Sequence, residues 1–187
     1  MTKACAGKNC KMMMMAGLGL LVAVVAVLIM ASQKPDEFKV TRSITINAAP
    51  EVVFPWLNNL QNGQKWSPWV EMDPEAQYVF EGPIEGVGAV IHWDGKKAGK
   101  GTMTITESVP NERVASRLDF VKPMASTSTT DYVMTPTEDG GTQITWGMYA
   151  DNNYMAKVMS VFMDCEKMVG DQFDTGLAKL KKIVEAE

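Results

Sequence analysis

Apolar and polar positions follow three successive regimes along this chain. From Met12 to Ala31 (MMMMAGLGLLVAVVAVLIMA) twenty residues pass without a charge. From Phe38 to about Ala150, apolar residues alternate with polar ones in short runs separated by Gly, Pro, Asn and Asp. From about Asn153 to Glu187, Met155, Val158, Phe162, Cys165, Val169, Phe173, Leu177, Leu180 and Val184 recur at steps of three or four. The three patterns predict, in turn, a membrane-spanning helix, a β-sheet and one long amphipathic helix.

The predicted C-terminal helix would run about 45 Å at 1.5 Å per residue. Asp151, Asn152 or Asn153 can cap its start, and Lys179, Lys181 and Lys182 suit the negative end of its dipole. Gly170 and Gly176 interrupt it, each at a cost of about 1 kcal/mol relative to alanine. They point to a close backbone approach or a kink.

Seven strands are expected ahead of it. Phe38, Val40, Ile44 and Ile46 mark the first, with Arg42 on the apolar parity either at a bulge or aimed inward; the bulge is the plainer reading. Pro50 then opens a short helix to Asn58, and a second short helix or turn ends in Trp66-Ser67-Pro68-Trp69. Further strands carry Tyr78 and Phe80; Ala89, Ile91 and Trp93; and Met103 and Ile105. The last three carry Val114, Leu118 and Phe120; Tyr132 and Met134; and Ile144, Trp146 and Met148. Asp94-Gly95 is expected to close a hairpin. No helix intervenes between consecutive strands, so the sheet should be antiparallel.

A chain of 187 residues accommodates one domain plus an appendage. The expected division is a short flank (1–11), a transmembrane helix (12–31), a linker (32–37) and a folded domain (38–187). Lys3, Lys8 and Lys11 before the span also fit a secretory signal, but the run is long for one and Leu28-Ile29-Met30-Ala31-Ser32 makes a poor cleavage site. An uncleaved signal anchor fits better. Lys34, Lys39 and Arg42 follow the span and nearly balance the three lysines before it, so the very short N-terminal flank decides. It puts the N-terminus in the cytoplasm and the domain on the extracytoplasmic side of the membrane. Gly19 and Ala23 form a small-xxx-small pair of the kind that joins two membrane helices, here into a homodimer.

Residues 38–187 hold 14 basic and 20 acidic side chains, a net charge of −6. That balance argues against nucleic acid as a partner. Cys165 sits alone in the domain and reads as a buried thiol, whereas Cys5 and Cys10 precede the span without the spacing or histidines of a metal site. No cofactor is called for: there is no G-x-S-x-G elbow, H-E-x-x-H or P-loop. His92, the single histidine, has the parity opposite to Ile91 and Trp93 and should face solvent, as should Asp119 and Asp131.

A strand, two short helices, six antiparallel strands and a long final helix is the order of the helix-grip fold. In that α+β fold a curved seven-stranded sheet wraps the C-terminal helix and leaves a cavity between them. The stretches Ile44-Thr45-Ile46-Asn47-Ala48-Ala49-Pro50-Glu51-Val52-Val53-Phe54, Trp66-Ser67-Pro68-Trp69 and Gly101-Thr102-Met103-Thr104-Ile105-Thr106-Glu107 resemble a branch of the START-like, or Bet v 1-like (SRPBCC), superfamily. That branch is often labelled polyketide cyclase/dehydrase. Thr142-Gln143-Ile144-Thr145-Trp146 and Gly176-Leu177-Ala178-Lys179-Leu180-Lys181 extend the resemblance over nearly all of 38–187. Its members include lipid carriers, hormone and polyketide binders and cyclases, so the resemblance implies the fold and a cavity more than one activity.

On that reading the inward faces carry Tyr78, Phe80, Ile91, Trp93, Met103, Ile105, Leu118, Phe120, Tyr132, Met134, Trp146 and Met148. Met155, Met159 and Phe162 join them from the final helix, and Ser126, Ser128 and Thr130 supply hydroxyls. A mostly apolar wall with sparse polar groups suits a lipid, isoprenoid or polyketide-like ligand. Trp66 and Trp69 belong either at the mouth or in a packed corner. Glu107, on the parity of Met103 and Ile105, is either a cavity carboxyl suited to proton transfer or an edge residue beside Pro110. Three functions follow: a membrane-tethered binder of a hydrophobic small molecule, a cyclase-, dehydratase- or hydrolase-type enzyme using the same cavity, and a filled-core interaction module. The binding reading accounts for the most residues.

Overall fold

The computed structural model describes residues 8–186. The uncharged run lies in helix α1 (Lys8–Ser32), and β1 (Glu37–Ile46) follows. Three short helices come next: α2 (Pro50–Asn58), α3 (Leu60–Gln64) and α4 (Pro68–Met72). Then come β2 (Gln77–Glu81), β3 (Val90–Gly95), β4 (Gly99–Val109), β5 (Arg113–Lys122), β6 (Ser126–Pro136) and β7 (Thr142–Asp151). Helices α5 (Tyr154–Phe162) and α6 (Cys165–Val184) end the chain. The residues group into two compact units, and the chain passes between them after Asp36, Asp151 and Asp164.

In the larger unit, residues 37–151 and 165–187, the strands form one antiparallel sheet in the order β1-β7-β6-β5-β4-β3-β2. Because strand residues alternate faces, the register aligns apolar positions in rows across the sheet. Ile91, Met103 and Leu118 form one such row, and Val114, Tyr132 and Trp146 another. Helix α6 packs on β1 and α4, burying Phe173, Leu177, Leu180 and Val184 against Val40, Ile46 and Ile144. Each such side chain contributes about 1.5–3 kcal/mol through burial. This is the helix-grip fold.

The smaller unit joins α1 and the residues up to Asp36 to 152–164. Here α5 packs against α1, with the Tyr154 hydroxyl donating to the Leu28 carbonyl at 3.2 Å and Ala31 fully buried. The Asn152 backbone N–H donates to the Asp36 carbonyl, and Lys157 pairs with the Asp36 carboxylate. That hydrogen bond from Lys157 holds the Asp36 carboxyl below its usual range.

Several expectations change. The long C-terminal helix is two helices, parted at Met163 and Asp164, with Met163 in extended backbone. The break preserves the three-four spacing, so the periodicity does not reveal it. Neither glycine makes the break: Gly170 and Gly176 both lie inside α6. Arg42 is not at a bulge, because β1 pairs with β7 without interruption and sets Arg42 opposite Trp146. Its guanidinium reaches α6, where it bonds Asp174 at 3.2 Å and occupies the space a side chain at Gly170 would fill. Asp131 is buried on the sheet's other face and paired with Arg113 at 2.9 Å, so it is not solvated. Asp94-Gly95 ends β3 instead of forming the turn, which lies at 96–98. Cys165 is half-buried at the start of α6. Cys5 falls outside the described residues.

Candidate functional site

A cavity of about 280 Å³ lies inside the larger unit. Its sheet wall is built by the register. Tyr78, Trp93 and Phe120 share one row, Ile91, Met103 and Leu118 the next, and Ser116, Thr130 and Met148 the third. Tyr132 and Trp146 close that wall. The opposite wall comes from Leu57 of α2, from Asn59, Leu60, Gly63 and Gln64 at α3, and from Trp66, Ser67 and Trp69 at the start of α4. Ala98 and Val169 complete the lining.

Trp146 anchors one end. It stacks on Phe173 of α6 with centroids 3.9 Å apart, leans on Tyr132 at 5.1 Å, and forms T-shaped pairs with Trp66 and Trp69 at 5.4 and 5.6 Å. Its Nε1 donates to Thr130 Oγ1 at 2.9 Å, and that hydroxyl donates to the Gly147 carbonyl at 2.7 Å. Trp66 is buried and donates its Nε1 to the Trp56 carbonyl at 3.0 Å. Both Trp66 and Trp69 are therefore packed wall residues as well as lining. At the other end Trp93 forms a T-shaped pair with Phe120 at 5.6 Å and donates to the Ala98 carbonyl at 3.2 Å. Its ring lies over Gly101, where any side chain would collide with it.

The lining carries no carboxylate, lysine, arginine or histidine among the described residues. Its polar atoms are few. Gln64 Oε1 is buried without a hydrogen-bond partner. Ser116 and Tyr132 are buried and bring hydroxyls to the lining. Burial pushes the Tyr132 phenol far above its ordinary value. Burial, and next the Asp73 charge, raise that of Tyr78. Both phenols stay protonated at neutral pH and can donate or accept a hydrogen bond.

Not every expected position faces this space. Ile105 and Met134 are buried in the solid core beside it, and Phe80 is partly exposed near the end of the edge strand β2. Met155, Met159 and Phe162 belong to α5 in the smaller unit and are exposed, because the helix break takes them out of the α6 stripe. Glu107 is half-exposed and bonded to Arg113 at 3.0 Å. A register shift between Ile105 and Glu107 inserts Thr106 as an extra residue and reverses the parity that aimed Glu107 inward. His92 lies off the lining, bonded to Thr102 at 2.9 Å and 3.3 Å from Glu81. Of the three hydroxyls expected from β6, Thr130 lines the cavity, Ser128 is buried outside it and Ser126 is exposed. Leu60, Gly63, Gln64 and Ser116 carry no signal of their own in the sequence. The α3 turns are too short to show a period, and a lone serine in a strand looks solvated.

Residues 37–185 match the polyketide cyclase / dehydrase and lipid transport family. The chain belongs to that family. Solved structures with the same fold include protein MLL2253 from Mesorhizobium loti, with a TM-score of 0.59 at 14% identity over 80% of this chain and 98% of that one. Protein CV1439 from Chromobacterium violaceum gives 0.56 at 17% identity over 81% and 99% of the two chains. The Aha1 dimer from Colwellia psychrerythraea gives 0.56 at 18% identity over 79% and 96%. At such identities the likeness concerns the fold alone. No curated protein matches the chain.

Proposed function

We propose that this family member holds one uncharged, largely apolar small molecule in the cavity and is tethered to a membrane through residues 12–31. The observation that carries the reading is a space of about 280 Å³ with an uncharged wall and, in Gln64 Oε1, a buried polar atom without a partner. Ligand pockets run from about 300 to 1,000 Å³, so this one suits a compact isoprenoid, lipid fragment or polyketide-like ring system better than a two-chain lipid. A charged head group would enter without a counter-charge, at a cost of several kcal/mol. A hydroxyl or carbonyl, in contrast, would meet Gln64, Ser116 or Tyr132.

The apolar helix α1 supports the tether, since it has length and composition enough to cross a bilayer. A signal sequence passes the same test, but its removal would strip α5 of the helix it packs on, which favours a retained anchor. Gly19 has open space around it, which leaves room for a second α1 to approach closely. The tether would raise the effective concentration of a membrane-dissolved ligand at the domain.

The test is saturable binding of a neutral naphthylamine fluorophore to the full chain in nanodiscs, compared with Ser116→Phe. A phenylalanine there fills the cavity from β5, so the saturable signal should be lost while the thermal midpoint stays within a few degrees. Unchanged binding in that variant would place the fluorophore elsewhere and contradict the proposal.

A further inference from the structure

Helix α5 is unusual for an exposed helix in carrying no solvent-facing charge. Its exposed side chains are Tyr154, Met155, Met159 and Phe162, followed at the C-cap by Met163. Met155 is 62% and Phe162 70% exposed. The one charged residue, Lys157, is 8% exposed and neutralised by Asp36. The exposed positions of α6, by comparison, include Glu166, Lys167, Asp171 and Asp174. The apolar face of α5 is therefore a local property, not a general feature of this surface.

What covers that face is indicated by its neighbour within the same unit. α5 packs on α1, with Tyr154 at the Leu28 carbonyl, and Leu28, Ile29 and Met30 of α1 are themselves exposed. The apolar surface of α5 thus continues that of the helix read as the membrane span. At 1.5 Å per residue α5 is about 13 Å long, less than half of the roughly 30 Å needed to cross. A helix too short to span, with one side packed on α1 and an apolar side exposed, can lie along a bilayer but cannot cross it. Methionine and phenylalanine suit the acyl boundary, and tyrosine suits the headgroup level.

We infer that α5 is a membrane-interface helix whose Met155, Met159 and Phe162 enter the bilayer surface beside the exit of α1. The inference rests on the membrane reading of α1. It gives these three residues lipid as their ligand, in place of a molecule held in the cavity.

The test is spin-label accessibility in the full chain, with Cys5, Cys10 and Cys165 replaced by serine, in phosphatidylcholine/phosphatidylglycerol vesicles. Single cysteines at Met155, Met159 and Phe162 are compared with Val22→Cys in α1 and Asp171→Cys in α6. The expected result is oxygen-rich, nickel-poor accessibility at 22, 155, 159 and 162, and the reverse at 171. A lipid-like label at 22 with water-like labels on α5 would overturn the inference and leave the anchor standing. Labels on α5 shielded from both relaxants would also overturn it, and would assign the face to a protein contact. A water-like label at 22 would remove the anchor and the inference with it.

Discussion

Two glycines in the same helix should respond in opposite ways to the same substitution. Replacing either Gly170 or Gly176 with alanine gains about 1 kcal/mol of helix propensity. At Gly170 the new methyl meets the end of the Arg42 side chain, which is flexible and partly exposed. Displacing it gives up an exposed ion pair with Asp174, worth about 0–1 kcal/mol. At Gly176 the methyl comes 3.0 Å from Pro68 Cδ and 3.1 Å from Trp146 Cζ3. Trp146 cannot yield easily, because Phe173, Tyr132, Trp66 and Trp69 hold its ring from several sides. Overpacking of this kind costs about 1–3 kcal/mol. Gly170→Ala should therefore be neutral to about 1 kcal/mol stabilising, and Gly176→Ala neutral to about 2 kcal/mol destabilising. At about 2–4 °C per kcal/mol for a chain of this size, the two midpoints should differ by several degrees. Thermal unfolding of the full chain in mild detergent, followed by tryptophan fluorescence, reads this directly. A Gly176→Ala midpoint above that of Gly170→Ala would refute the claim that Trp146 is rigidly held.

Gln64→Leu should weaken binding of a hydroxyl-bearing ligand by about 0.5–1.5 kcal/mol and strengthen that of the matching hydrocarbon, since it removes a buried unpartnered acceptor; calorimetric titration of both ligands measures the crossover, and equal effects on the two would exclude Gln64 as a ligand contact. The buried Asp73 carboxylate accepts the Ala98 N–H at 3.0 Å and the Lys97 N–H at 2.6 Å, and these bonds hold its pKa below the ordinary 3.8. Its contribution is thus present above pH 3.8 and lost as pH falls through the lower folded value. Asp73→Asn should melt below the parent at neutral pH, with the gap closing under about pH 4, and a gap that does not change with pH would contradict this.

How far the sequence could be read follows from which features leave a periodic trace. Alternation was enough to locate all seven strands, and strand residues two apart share a face, so Ile91 and Trp93 or Tyr132 and Thr130 could be placed together. Parity fails where one residue is inserted, which is why Glu107 turned away from the cavity after Thr106. It fails again where a break keeps the helical spacing, as at Met163-Asp164. Contacts between distant elements leave no local mark at all. Arg42 and Gly170 explain each other, one filling the space the other leaves, yet they stand on different elements and neither is intelligible alone. Gln64 belongs to the same class, since only the assembled cavity shows that its amide oxygen lacks a partner.

The central claim is that the cavity of the larger unit holds an uncharged apolar molecule. Native mass spectrometry of the full chain, released from detergent after gentle purification from its expressing cell, tests it most directly. The account predicts a second species heavier by one small neutral molecule, extractable into organic solvent and absent from Ser116→Phe. A single unliganded mass that is unchanged after incubation with isoprenoid and aromatic polyketide mixtures would contradict it.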